Sequence, residues 1–429
     1  MDERQIEQSI NKLKDSIPIN IELKKKLRKE FLKKKWRFSW PKWGALVAAA
    51  ILLIGVLTYQ GPTGMTGVAA EKLQVQNQIS FVDIGSGSPL GVSEYKETVY
   101  IPIFGKGLFV YDSKGFHQLL DQDISDAKIN ASGTMLVLGT GGALGIYDVE
   151  QGHYKELLKG DGTLVFYEQP SWKNETTILF VKKVMEQSQG HGFTVKESSI
   201  YEMNIENLQQ KKLGDGASPS YVNGKIVYER DSRIVIKDVK SGKKTVIDEG
   251  RFPSVSPNGK YISYVKTETS RRELQSNAFV EESVDQIWNA DIDGKTNRVV
   301  TANTPNYYIS EQDWLGQLKP SNVPQVLTIT GMYSYYNPVW SSDSKSVYVL
   351  KNQNIEGAKM RIMRIDLSED ALSEKEVVKA FNQATISRDL DFARSLLKNH
   401  QEFIIPSNPH PVSYSIVKSG TENGRKYVD

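Results

Sequence analysis

PSVSPNGKYISYVKT, residues 253–267, places a proline-led approach and an Asn-Gly turn directly before an apolar run, and PVWSSDSKSVYVLKN, residues 338–352, repeats the plan with Asp-Ser in the turn. Shorter copies stand at 170–174, Pro-Ser-Trp-Lys-Asn ahead of TILFVKK, and at 219–225, Pro-Ser-Tyr-Val-Asn-Gly-Lys ahead of IVYER. Asn, Asp, Gly and Ser supply turn backbone, and short runs rich in Val, Ile and Tyr suit strands. From Pro170 to Pro338 is 168 residues, or four steps of about 42 if one unit lacks the signature. A four-stranded propeller blade takes about 40–45 residues, so the spacing predicts a mainly β protein built as a β-propeller.

The later strands of each unit also match: LGIYDVEQG from 144, IVIKDVKSG from 234, IWNADIDG from 287 and RIMRIDL from 361 each run to an acidic residue, mostly ahead of a hairpin. Together the two halves of the unit resemble the TolB-like propeller family, whose repeats follow P-x-W-S-P-D-G-K with an apolar strand and then a strand ending near D-x-x-x-G. Residues 253–264 and 338–350 are nearest that pattern, and the resemblance covers roughly 90–367. Weaker copies at 91–120 and 127–159 bring the count to six blades, the number the resemblance implies. Residues 303–335 blur it, as an insertion or a degraded seventh blade. NQISFVDIG, residues 77–85, is expected to supply the outermost strand of the last blade, because a ring closed by both chain ends leaves no free sheet edge.

After Leu367 the spacing becomes helical. Ser373 and Glu376 form a capping box before an apolar face of Val377, Val378, Phe381 and Ala384, and a second helix carries Asp391, Ala393, Leu396 and Leu397. This α+β segment, 368–429, resembles the start of a nuclear-transport-factor-like domain, ending as a first hairpin forms; it is either incomplete or leans on the propeller.

Residues 43–60, WGALVAAAILLIGVLTYQ, are the one long uncharged apolar run. As a helix, Trp43 to Tyr59 would reach roughly 26 Å, near a bilayer's hydrocarbon thickness. Residues 1–42 hold thirteen Lys and Arg against six Asp and Glu, whereas the twenty residues after Tyr59 hold only Glu71 and Lys72 as charges. The positive-inside rule predicts a signal anchor in the cell membrane, with a cytoplasmic tail (1–42), one span (43–60), a linker (61–76) and the propeller (77–367) outside. Cleavage at Val68-Ala69-Ala70 is the competing reading, disfavoured by a basic region too long for a secretory signal.

The whole chain carries +3 and the tail +7, so the remainder carries −4, with no nucleic-acid footprint. There are no cysteines, which excludes disulfides, thiol catalysis and Cys-ligated zinc; the five histidines show no metal-binding spacing. GTGGALG from 139 is followed by a strand pattern, so a hairpin is expected rather than a phosphate loop. Asn289-x-Asp291-x-Asp293-Gly294 opens like a calcium loop, but Val300 stands where the twelfth-position Glu belongs, and a blade hairpin is expected there also.

No catalytic, cofactor or metal residue stands out, so the chain reads as a non-enzymatic binding or sensing module at the bacterial envelope, taking a protein or small ligand on a propeller face. Tyr307, Tyr308, Trp314, Tyr333, Tyr335 and Tyr336 crowd one segment as candidate partner-binding aromatics, with inter-blade packing the alternative for half of them. In the tail, Leu23, Leu27 and Phe31 form an apolar stripe among lysines, after an earlier one of Ile6, Ile10, Leu13 and Ile17. That suits either an anionic-lipid surface or a cytosolic partner. The second option is the plan of bacterial membrane-bound anti-sigma factors, although the His and Cys zinc motif of many of them is absent. A third reading, a propeller hydrolase or lyase on envelope polymers, requires clustered carboxylates at the channel mouth.

Overall fold

The computed structural model describes residues 73–85, 91–103, 105–188, 192–319, 321–355, 359–397, 413–417, 419–422 and 425–428. The tail, with Leu23, Leu27 and Phe31, the apolar run 43–60 and most of the linker lie outside the described residues. Among the described residues no helix is long and apolar enough to cross a membrane.

Each repeat folds into four antiparallel strands paired in chain order, and there are six such sheets, at 93–120, 126–158, 165–215, 217–249, 251–299 and 333–368. The sixth takes its outermost strand, Gln74–Gly85, from the beginning of the described chain, paired antiparallel with Met360–Ser368 as the edge argument requires. The six innermost strands touch in sequence, and the last of them, Tyr333–Trp340, touches the first, Ser93–Tyr95. The sheets are therefore the blades of a closed ring.

Apolar runs such as TILFV are buried on both faces because each blade is sandwiched between two others. Ile178 and Phe180 pack with Val137 and Leu144 of blade two, while the intervening Leu179 and Val181 pack with Ile226 and Tyr228 of blade four. Similar clusters fill the remaining interfaces, among them Tyr100 and Leu108 of blade one with Leu136 and Leu138 of blade two, and Ile362 and Leu350 of blade six with Val99 and Ile101 of blade one. The period of two along a strand thus serves two different neighbours.

The expected four even steps between Pro170 and Pro338 need correction. The steps are 49, 34 and 85 residues, and no blade lies hidden in the long one. Instead blade five is enlarged: its middle strands, Tyr261–Gln275 and Ala278–Asp291, run far beyond the usual length of about six residues, and their outer part carries an insertion. There helix α1, Glu311–Gln317, precedes a strand Gln325–Thr330 that pairs in parallel with 278–283. Segment 303–335 is therefore an excursion leading into blade six, not a seventh blade.

Both loop readings hold. Met135–Thr140 and Ala143–Asp148 form a hairpin whose two turn residues, Gly141 and Gly142, have φ of 56° and 99°, the positive values a two-residue turn demands. The Asn289–Gly294 stretch is the end of one blade-five strand and its turn. Among the described residues no group of three His, Asp or Glu is arranged for a metal ion.

Helices α2, Glu374–Ser387, and α3, Leu390–Ser395, lean on the propeller. Ser373 and Glu376 make the expected capping box, and Val377, Ala380, Phe381, Ala384, Phe392 and Leu396 pack into the core shared by blades five and six. A short hairpin, Ser419–Glu422 with Arg425–Val428, follows. Asp389, between the helices, fixes the docking: its carboxylate accepts from Lys351 Nζ at 2.8 Å, from Ser80 N at 2.8 Å and Oγ at 2.6 Å, and from Ser387 Oγ at 2.7 Å. Burial, the largest influence, pushes this carboxyl up, but Lys351 and the two hydroxyls together hold it below the ordinary carboxylate range.

Neighbouring Asp391 is buried with no hydrogen-bond donor to either oxygen among the described residues. Burial foremost, with Asp389 adding and Lys351 and Arg394 opposing, pushes it up to about 6. Between about pH 4 and 6 the folded chain keeps a proton that the unfolded chain has lost, so this group makes stability fall as pH rises through that window. Asp389 acts oppositely, its stabilisation being lost as pH falls through its lowered value. Urea unfolding across pH 4–7 is expected to show Asp391→Asn removing a decline of roughly 3 kcal/mol. An unchanged pH profile in the variant would refute the assignment.

Candidate functional site

The proline that leads four of the repeats sits on the innermost strand. At each, the residue before it has a positive φ: Gln169 at 52°, Ser218 at 48°, Phe252 at 55° and Asn337 at 47°. A residue ahead of proline is normally extended with negative φ, and such positions cost about 1–3 kcal/mol each. Each coincides with a register shift against the second strand of its blade. Bulges of this kind re-aim side chains, and here they turn the proline segments toward the ring's axis. Blades one and two lack the proline and have no pre-proline bulge.

Side chains then tie each inner strand to the next. Ser93 Oγ accepts from Ile129 N at 3.1 Å, and Trp172 Nε1 donates to Lys128 O at 2.7 Å. Gln169 Oε1 accepts from Ser218 N at 2.8 Å, and Ser220 Oγ accepts from Val255 N at 3.1 Å. Ser344 Oγ accepts from Asn258 N at 3.0 Å, and Glu94 Oε2 accepts from Ser342 N at 2.6 Å, which joins blade six to blade one.

These strands enclose an axial cavity of about 400 Å³ to which all six blades contribute. Its charged lining is balanced and engaged. Lys128 Nζ donates to Val92 O at 2.9 Å and lies 3.5 Å from Asp126, while Lys173 Nζ donates to Glu202 at 2.7 Å. Glu94 is held by the backbone of Ser342 and Glu97. Burial pushes the Asp126 carboxyl up, offset in part by Lys128. The two lining carboxylates are held differently: Glu94 by backbone N–H groups, one of them across the seam with blade six, and Asp126 beside Lys128 of its own strand, its buried Oδ1 without a hydrogen-bond donor among the described residues. The remaining wall is apolar and amide-like: Tyr95, Trp172, Tyr221 and Phe252 are half-buried along it, between prolines and serines. Ser171 Oγ and Trp340 Nε1 also belong to this wall, buried and without a hydrogen-bond partner among the described residues. The cavity therefore offers aromatic faces and a few neutral donors and acceptors.

The six aromatics picked from 307–336 do not gather here. Tyr333 and Tyr335 are corrected from surface to core: 9% and 2% exposed, they pack with Phe381 and Phe392 because their side of the strand is covered by α2 and α3. Tyr336, on the opposite side, is half-buried at the interface with blade one, its ring 6.4 Å from that of Phe252. Trp314 is half-buried, packing its α1 onto Val280, Leu327 and Ile329. Only Tyr307, whose hydroxyl donates to Glu282, and Tyr308 are exposed. The channel residues went unselected because they come from six repeats, though the proline signature marked the strands that carry them.

No known family and no curated protein matches the chain. Similar solved structures include a protein described as a TolB from Agrobacterium tumefaciens, 14% identical over 49% of this chain and 79% of that one, with a TM-score of 0.36. Others are a chain of the mitotic checkpoint complex, 12% identical over 71% of this chain and 98% of that one at 0.36, and KlHsv2 with loop 6CD replaced by a Gly-Ser linker, 10% identical over 61% and 74% at 0.34. The propeller assignment rests on the sheet order and the closed ring.

Proposed function

We propose that the chain is a binding propeller of the TolB-like kind, held outside the cell membrane by the 43–60 span, which receives a neutral segment of another envelope protein at its axial channel. The observation that carries this reading is the channel wall: strained, bulged inner strands present half-buried aromatics, and Ser171 Oγ and Trp340 Nε1 that have no hydrogen-bond partner among the described residues, to a charge-balanced cavity. Extended peptide segments are recognised by aromatic-lined grooves with scattered hydrogen-bonding groups. The balance of lysines and carboxylates favours an uncharged segment over an acidic or basic one.

Photo-crosslinking in intact source cells tests it. A photoreactive residue at Tyr95 is expected to capture an extracytoplasmic protein, whereas one at Val246, exposed on the outer strand of blade four, is expected to capture none. Capture only at Val246, or a captured partner from the cytosol, would sink the proposal. The amphipathic tail supports a second reading, a transmembrane regulator whose stripe at Leu23, Leu27 and Phe31 holds a cytosolic protein such as a sigma factor. Deleting 1–35 while keeping 36–59 should release that partner without altering capture at Tyr95 if both ends work independently.

A further inference from the structure

A second cavity, of about 560 Å³, lies where blade six meets the closing strand and the two C-terminal helices. Its charge differs from that of the channel. Lys351, Lys359, Arg361, Arg388 and Arg394 line it, against the single carboxylate of Asp83.

Two of the five cations are matched. Lys351 is paired with Asp389, its ammonium 3.9 Å from the centre of the Tyr333 ring, and Arg361 Nε donates to Asp83 Oδ1 at 2.7 Å while its Nη1 donates to Ser387 O at 3.3 Å. The others are not saturated. Arg388, in the left-handed conformation at the C-cap of α2, is exposed, and neither it nor Lys359 has a side-chain partner among the described residues. Arg394 has a buried Nε with no partner among the described residues, and its Nη1 stands 3.6 Å from Asp391. Counting Asp391 as ionised, the lining keeps about two positive charges in excess. Guanidinium groups from the last strand of blade six, the end of α2 and α3 converge on it, above apolar Met332 and Leu390. Guanidinium forks match the paired oxygens of phosphoryl groups, and a cleft of this size admits a small ligand.

We propose that this cavity binds a compact dianionic oxyanion of the phosphate-monoester class, clamped between Arg388, Arg394 and Lys359, and that it does so independently of the channel. Calorimetric titration of the full-length chain in neutral detergent at constant ionic strength, with inorganic phosphate as the probe, is expected to show saturable binding. Arg388→Gln should weaken it about tenfold, the scale of one lost charge-assisted contact, whereas Lys173→Gln in the channel should leave it unchanged. Because Arg388 is exposed and unpaired among the described residues, its replacement leaves folding intact; thermal melts of the variant confirm that. Glycerophosphoglycerol, the monoanionic diester of a lipid headgroup, serves as the second probe. Weaker binding of this diester than of phosphate supports the dianion, while a diester that binds as well as phosphate overturns that charge assignment. Absence of saturable binding of phosphate through the low-millimolar range, or binding that survives Arg388→Gln unchanged, overturns the site itself.

Discussion

A chain lacking Gln74–Gly85 is expected to lose its cooperative fold, although the deleted strand lies on the rim of a single blade. Val75, Val82 and Ile84 of that strand are buried, each at 8% exposure or less. Burying side chains of this size is worth about 1.5–3 kcal/mol each, so their loss approaches the whole 5–15 kcal/mol of a typical domain. Two further costs follow from topology. Removing the strand exposes the edge of Met360–Ser368, a template for aggregation, and it deletes Ser80, which donates two hydrogen bonds to Asp389 beneath α3. Since the strand is covalently remote from its partner, a synthetic peptide of residues 73–85 should restore protection from proteolysis when added in trans. A deletion variant that stays monomeric with an unaltered urea midpoint would show that the ring is not closed by this strand.

How far the sequence carried depended on whether a feature is local. The proline, the turn and the apolar run sit within a dozen residues, and each dictates its own backbone, so the inner and second strands of blades three to six were legible. The closing strand was legible for a different reason: a ring closed by both chain ends leaves no free sheet edge, and the apolar run before the first repeat was the segment available to cover the last one. The enlargement of blade five escaped the even spacing because its growth is non-local. The parallel addition of Gln325–Thr330 to residues 278–283 leaves no turn signature, and an 85-residue step looks like two blades until the pairing is known. Tyr333 and Tyr335 were misplaced for a related reason. The alternation of the strand separates them from Tyr336, but only the docking of α2 and α3 decides that their side is covered. Both cavities depend on residues distant in the chain. In the axial one, a short stretch of the chain comes from each of six repeats; in the basic one, Arg361, Arg388 and Arg394 are brought together by helix docking alone.

That docking rests on a buried charge pair, from which the second large effect follows. Side chains of Lys351 and Asp389 are 6% and 2% exposed, and the pair joins blade six to the start of α3. Removing either partner alone leaves the other charge in a site that excludes water. Lys351→Met or Asp389→Leu should therefore each destabilise the protein by about 3–5 kcal/mol. The double variant should be less damaged than the sum of the singles, because a Met beside a Leu fills the space without an unpaired charge. It should not be fully repaired, since Ser80 N and Oγ and Ser387 Oγ would lose the carboxylate they donate to. A double-mutant cycle from urea unfolding measures the coupling directly. Coupling of well over 1 kcal/mol is the expected result, and it would make the helices an integral part of the propeller. Single-variant costs that simply add, with the helices still protected from proteolysis, would mean that the apolar face of Val377, Phe381 and Phe392 holds them in place without help from the charges.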